Sequence, residues 1–184
     1  MKMPISELKN LIPDYAKDIK LNLSSLASDE TLDEQKLWGS FLASALASGN
    51  AKVIASIESE AMEHLSIEAM QAVKSAAAIM AMNNIYYKFS GMVTEYQTMP
   101  AKLRMNVIAN PGISEKVDFE LWSLAVSAIN GCQFCVKSHE KIVRDAGLSA
   151  QEVQTVVRIA SVVHAVAAVL DGEEALSADL SRAA

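Results

Sequence analysis

Apolar residues fill long stretches of this 184-residue chain in helically periodic runs, and seven glycines and four prolines are all that punctuate them. Ala, Leu, Ile, Val and Met dominate those stretches, which is the make-up of packed helices. Gly49, Gly131 and Gly147 each follow an apolar-periodic run, where a helix ends best on a left-handed residue. Two starts have the spacing of a capping box, Thr31 with Glu34 and Ser149 with Glu152. In such a box the hydroxyl accepts from a free backbone N–H and the carboxylate reaches back to the cap. Pro100 and Pro111 bracket AKLRMNVIAN, a connector between two helical halves. Within the second half the pattern predicts a helix over 118–129, a turn at Asn130-Gly131 and a helix over 132–146. The expected fold is all-α.

The halves read as copies. An offset of 83 residues pairs Ser44-Ala45-Leu46 with Ser127-Ala128-Ile129, Val53 with Val136, Leu65-Ser66 with Leu148-Ser149, and Met70 with Val153, without a gap. The chain is therefore expected to be one domain, 1–184, built from a first repeat over 31–99 and a second over 114–184. Where the second repeat has Cys132, Cys135 and His139, the first has Gly49, Lys52 and Ser56. Only the second copy of the expected repeat carries the chemistry.

Charge narrows the partners. A formal net charge of -6 and the lack of a basic stripe argue against nucleic acid and against a membrane surface. The first residues show neither an apolar core nor a cleavage site of a secretion signal. The most apolar run, VVRIASVVHAVAAVL (156–170), carries Arg158 and His164 and is short for a bilayer span. A cytoplasmic protein is expected. In that reducing compartment two cysteines three positions apart point to redox or metal chemistry rather than to a structural staple.

Cys132, Cys135 and His139 fall at i, i+3 and i+7 on one face of the helix over 132–146. Both thiols lie in its first turn, where unpaired N–H groups and the helix dipole favour a thiolate. His139, one turn beyond Cys135, is placed to take its proton. In an antiparallel hairpin turning at 130–131, residues ten before and ten after the turn come level, so Glu120 reaches the neighbourhood of His139. A carboxylate, base, thiol and partner-thiol chain follows. At the helix tip, Cys132 is expected to be the easier target for a bulky dithiol. Two alternatives stand beside the redox reading. One is a zinc site using Cys132, Cys135, His139 and Glu120, against which stands the lack of a second Cys/His pair; the other is a Glu120 that serves only as a solvated partner of the helix dipole. His164, in an Ala/Val run, reads as a hydrogen-bonded core histidine, and His64 is assigned no function. Met62, Met70, Met80 and Met82 read as core or subunit-contact residues.

The run Glu120…Cys132-Gln133-Phe134-Cys135…His139, preceded by LWSLAVSAING and followed by GLSAQEV and HAVAAVL, resembles the alkyl hydroperoxidase D (AhpD) family of the carboxymuconolactone decarboxylase-like superfamily. AMNNIYYKF (81–89) is similar to the N-terminal repeat of that family. The resemblance spans essentially the whole chain. It implies an all-helical, duplicated, homotrimeric antioxidant enzyme with alkyl hydroperoxidase activity. It makes Cys135 the thiol that attacks peroxide, Cys132 the one that donates a proton and closes the redox disulfide, and Glu120 with His139 the relay that activates the thiol. It implies no bound cofactor. Electrons would come from dihydrolipoamide on a lipoylated acyltransferase subunit and go on to an AhpC-type peroxiredoxin. Phe134 departs from the family, whose studied members have a histidine between the cysteines. The remaining alternatives are a decarboxylase-like enzyme without redox cycling and a metal-binding helical protein.

Overall fold

The computed structural model describes residues 4–113 and 115–182. Residue 114 and residues 183–184, at the two ends of the expected second repeat, lie outside the described residues. Nine α-helices and two 3-10 turns, with no strand, make up the described chain. They are α1 (Ile5–Asn10), α2 (Lys17–Ala27), α3 (Glu34–Ser48), α4 (Ala51–His64), α5 (Ile67–Met92), α6 (Asn106–Ala109), α7 (Lys116–Ile129), α8 (Gln133–Asp145) and α9 (Ala150–Arg182). The all-α expectation holds.

Two helices form the centre because they are apolar nearly all round. Residues 37–45 of α3 are buried without a break, as are Asp118, Phe119 and residues 121–127 of α7. These two pack on each other, and α5 and α9 pack on both. Helix α8 is the opposite case. It buries only Cys135, His139 and Val143, a single stripe at i, i+4 and i+8, and turns the rest of its surface to solvent.

The central contact is close. A Cβ placed on Gly39 of α3 would lie 2.2 Å from the indole nitrogen of Trp122, a fully buried side chain of α7. Beside it, Gln35 donates to Asp118 Oδ2 at 2.6 Å, and Lys36 lies 3.3 Å from Asp118 Oδ1. Burial raises the Asp118 pKa above the ordinary carboxylate value, against the Gln35 hydrogen bond and the Lys36 charge that pull it down.

Several local expectations are met. Gly49, Gly131 and Gly147 all have positive φ at helix C-termini. At Ser149 and Glu152 both arms of the capping box form, at 2.7 and 3.1 Å. Others need correction. Thr31 caps nothing: its N–H donates to Asp29 Oδ1, and the cap of α3 is Asp33, which accepts from Lys36 N–H. An Asp side chain turning the chain at 29–31 delays the helix by two residues. The connector between halves starts earlier than Pro100, at Val93, and contains the 3-10 turn Thr94–Tyr96 and α6. His164 is exposed, not a core residue, because Val163, Val166, Ala167 and Leu170 form the inward stripe of α9 and position 164 points away from it. The apolar run over 156–170 is part of a much longer helix than the run alone suggested. By length and composition, Ala150–Ala178 is long and apolar enough to cross a membrane. Half of its most apolar window is instead buried within this fold, as in a core helix. Of the methionines, Met80 and Met70 are buried, whereas Met62 is exposed and so is not core.

The Gly39 contact gives a test of the packing. Gly→Ala inside a helix ordinarily stabilises by about 1 kcal/mol, but overpacking against a rigid buried ring costs roughly 1–3 kcal/mol. Gly39→Ala should therefore lower the urea midpoint, whereas Gly172→Ala in α9, where nothing lies within 4 Å of the new methyl, should not. Equal midpoints for Gly39→Ala and the wild type would contradict the packing.

Candidate active site

Helix α7 ends in a Schellman turn. Gly131 takes the left-handed conformation with φ 66°, its N–H donates to Ala128 C=O at 3.2 Å, and the N–H of Cys132 donates to Ser127 C=O at 3.1 Å. The turn delivers Cys132 as the N-cap of α8, one residue before the helix rather than within it. Its Sγ accepts from the N–H of Cys135 at 3.3 Å. The two sulfurs are joined in a disulfide, with Cα atoms 5.3 Å apart. Both are buried: Cys132 is 0% and Cys135 4% exposed. The expectation that Cys132 would be the more accessible sulfur is therefore corrected. The turn that makes it a cap also buries it.

Three polar links hold this turn to α5. Asn84 donates to Ser127 Oγ at 2.9 Å, Asn130 donates to Asn84 Oδ1 at 2.9 Å, and Lys88 donates to the Asn130 carbonyl at 3.0 Å. Asn84 and Ser127 are fully buried, so each satisfies the other.

One helical turn along α8, His139 Nδ1 lies 2.6 Å from Glu120 Oε2. The hairpin brings Glu120 into direct contact with His139. With a carboxylate accepting, Nδ1 carries the hydrogen and Nε2 is the nitrogen left for chemistry. In this oxidised state Nε2 lies 3.3 Å from Sδ of Met80, which comes from α5. Both side chains of the pair are mostly buried, at 9% and 13% exposure. A solvated Glu120 is thus not what the fold contains.

A cleft of about 250 Å³ opens onto this group. Glu120, Cys135, Ser138 and His139 form one side, and Met80, Asn83 and Tyr87 of α5 line it too. Met105, Ile108, Phe134 and Ile142 give it apolar walls. A larger cleft of about 470 Å³, lined by Tyr86, Lys88, Met92, Tyr96 and Lys137 among others, includes neither cysteine. Phe134, stacked on Tyr87 with ring centroids 5.4 Å apart, lines both clefts. The contributions of Asn83 and Tyr87, and the contact of Met80 with His139, were not anticipated from sequence. The signal for them was a pair of asparagines in the middle of an apolar helix. No group of three His, Cys, Asp or Glu suited to hold a metal ion occurs among the described residues. His64, assigned no function, stacks on Trp38 with ring centroids 4.8 Å apart.

A buried C-x-x-C disulfide at a helix start, flanked by a carboxylate–histidine pair on an all-helical frame, defines the class: a helical protein with a thiol-disulfide centre. Comparison with known proteins narrows it. Residues 94–178, which hold all four of these side chains, match the carboxymuconolactone decarboxylase family. Proteins named alkyl hydroperoxide reductase AhpD are similar over nearly the full length. The one from Gluconacetobacter diazotrophicus is 63% identical over 95% of this chain and 96% of its own. The one from Maricaulis maris is 58% identical over 93% and 99%, and one from a Bradyrhizobium species 55% identical over 92% and 94%. The chain belongs to the AhpD family of enzymes, within the carboxymuconolactone decarboxylase family.

The Asn84 links can be tested separately from any activity. Asn84→Ala leaves buried partners unpaired and should cost roughly 1–3 kcal/mol of stability. It should also speed the opening of the Cys132–Cys135 disulfide by a small reductant, measured by mass spectrometry after alkylation. Unchanged stability and unchanged opening would contradict the bracing role.

Proposed function

We propose that this protein is an antioxidant thiol-disulfide oxidoreductase that reduces organic hydroperoxides through Cys135 and Cys132. The observation that carries the reading is the Cys132–Cys135 disulfide on the same buried stripe as His139, whose Nδ1 is held by Glu120 at 2.6 Å. In the reduced enzyme His139 takes the proton of Cys135. The thiolate attacks the terminal oxygen of the hydroperoxide; an S–O bond forms, the O–O bond breaks, and sulfur gives up two electrons. The departing alkoxide takes the proton of Cys132 and leaves as alcohol, and the proton held by His139 goes out with the water of the next step. Cys132 then attacks the sulfenic acid on Cys135, expelling water and closing the disulfide. Two electrons from a dithiol reopen it. That dithiol is dihydrolipoamide on a lipoylated acyltransferase subunit, and the reduced pair also reduces the disulfide of an AhpC-type peroxiredoxin. The donor and both partners are carried from the family resemblance. No cofactor is bound in this scheme.

The same reading makes the chain a duplicated repeat, 31–99 and 114–184. It is supported by the helix starts at 67 and 150, and by Gly39 packing on Trp122 and Gln35 bonding Asp118 at the common offset of 83. Contacts between equivalent positions are what a local two-fold axis produces. It also makes the protein a cytoplasmic homotrimer. Exposed Ile85, Phe89, Met92, Val93 and Met99 on α5 and the connector supply an apolar face for another subunit.

Turnover of an alkyl hydroperoxide with dihydrolipoamide as the reductant tests the assignment. Cys135→Ser should abolish it. Glu120→Gln and His139→Gln should each slow it about 10- to 100-fold or more, the range of general-base catalysis. Near-normal rates in both relay variants would refute their role. Sulfenic acid trapped on Cys132 in Cys135→Ser, formed at the wild-type rate, would overturn the division of labour between the sulfurs.

A further inference from the structure

We propose that the larger cleft beside the disulfide turn is the carboxylate-binding half of the substrate site, and that the hydroperoxides this protein prefers are those of long-chain free fatty acids. The inference deepens the peroxide-reducing reading above and rests on it. The cleft, of about 470 Å³, differs from the rest of the molecule in its charge. The chain carries 22 acidic and 16 basic residues. Among the described residues, Lys88 and Lys137 line this cleft and no acidic residue does. Both lysines are exposed, and neither makes an ion pair among the described residues. Lys88 is also fixed in place. Its Nζ donates to the Asn130 carbonyl at 3.0 Å and lies 3.7 Å from a Cβ placed on Gly131, a residue of the cleft wall. A neutral carbonyl leaves the charge uncompensated and two of the three ammonium hydrogens free to donate. Lys137 stands three residues after Phe134 on α8, on the same face.

Tyr86, Tyr87, Tyr96 and Phe134 make the cleft aromatic, together with Met92 and Met99, which also belong to the face offered to another subunit. An apolar surface laid over the cleft itself would strand two ammonium groups out of water, which is costly, so an amphipathic anion is the better occupant. The reacting groups lie next door. Cys135 and His139 line the smaller cleft, and the stacked rings of Tyr87 and Phe134 line both. A ligand that uses both clefts needs an anionic head, a peroxide away from it, and a flexible apolar chain between them to pass the rings. A long-chain fatty acid with a hydroperoxide along its chain has all three parts. Its carboxylate pairs with Lys137 and Lys88, its chain lies against Tyr87 and Phe134, and its peroxide reaches Cys135. The chemistry is unchanged: the sulfurs of Cys135 and Cys132 give up two electrons to the O–O bond, and the products are a hydroxy acid, water and the disulfide.

Pre-reduced enzyme is mixed rapidly with linoleic acid hydroperoxide or with its methyl ester, below the concentration at which either aggregates, then quenched with an alkylating reagent and weighed. The readout is the ratio of the two rate constants for thiol oxidation, acid over ester. An exposed ion pair is worth up to about a factor of five. The wild-type ratio should therefore exceed one. Lys137→Met should lower it by about 2- to 5-fold, Lys137→Glu should lower it further, and Lys137→Arg should keep it. Added salt should lower the wild-type ratio by screening the pair, a readout that needs no variant. Cumene hydroperoxide, which has no carboxylate, reports whether the thiols of each protein react at all. A wild-type ratio of one, a ratio that survives both salt and Lys137→Glu, or an equal loss with acid and ester would overturn the inference while leaving the peroxide-reducing reading intact. Wild-type thiols that react with none of the three hydroperoxides would overturn both.

Discussion

The left-handed backbone at Gly131 is the constraint on which the site depends. A residue with a Cβ pays roughly 1–2 kcal/mol to adopt φ 66°, and glycine does not. That single residue ends α7, reverses the chain and starts α8 with Cys132 as its cap. The consequences then follow from helical geometry. Cys135 falls in the first turn with its N–H on the partner sulfur, His139 falls one turn later on the same stripe, and Glu120 on the preceding helix comes level with it. Moving the turn by one residue would rotate α8 by about 100° and carry the stripe off the core.

Position alone does not build the candidate site, and the surroundings supply the rest. Helices α3 and α7 are buried on nearly every side, so the hairpin has a rigid base. Helix α5 braces the turn through Asn84 and Lys88, and the same helix lines the cleft with Met80, Asn83 and Tyr87. Scaffold and site thus share one element. Polar groups in such surroundings act at lower dielectric than in water, which strengthens the Glu120–His139 contact and makes each unpaired group more costly.

Much of this was legible in the sequence, and the exceptions share a cause. Glycine at three helix ends, the Ser149–Glu152 box and the i, i+3, i+7 placement of the cysteines and histidine are local, so spacing alone predicts them. Glu120 was legible too, because a hairpin of known turn position fixes which residues come level. The misplaced features depend on which face of a helix meets which neighbour. The apolar sequence around His164 predicts a core residue, but the inward stripe of α9 passes it by. A place at a helix tip predicts an accessible Cys132, although the residue is fully buried. Met80 meets His139 across 59 residues of chain, and no local pattern carries that contact.

The proposed function requires the Cys132–Cys135 pair to cycle between disulfide and dithiol. Counting free thiols over time in the oxidised protein treated with dihydrolipoamide, then with an alkyl hydroperoxide, tests it most directly. Two thiols per chain are expected after the first addition and none after the second, in repeated rounds. Thiols that never appear, or that appear and are indifferent to peroxide, would contradict it and leave the family membership to describe a fold without this chemistry.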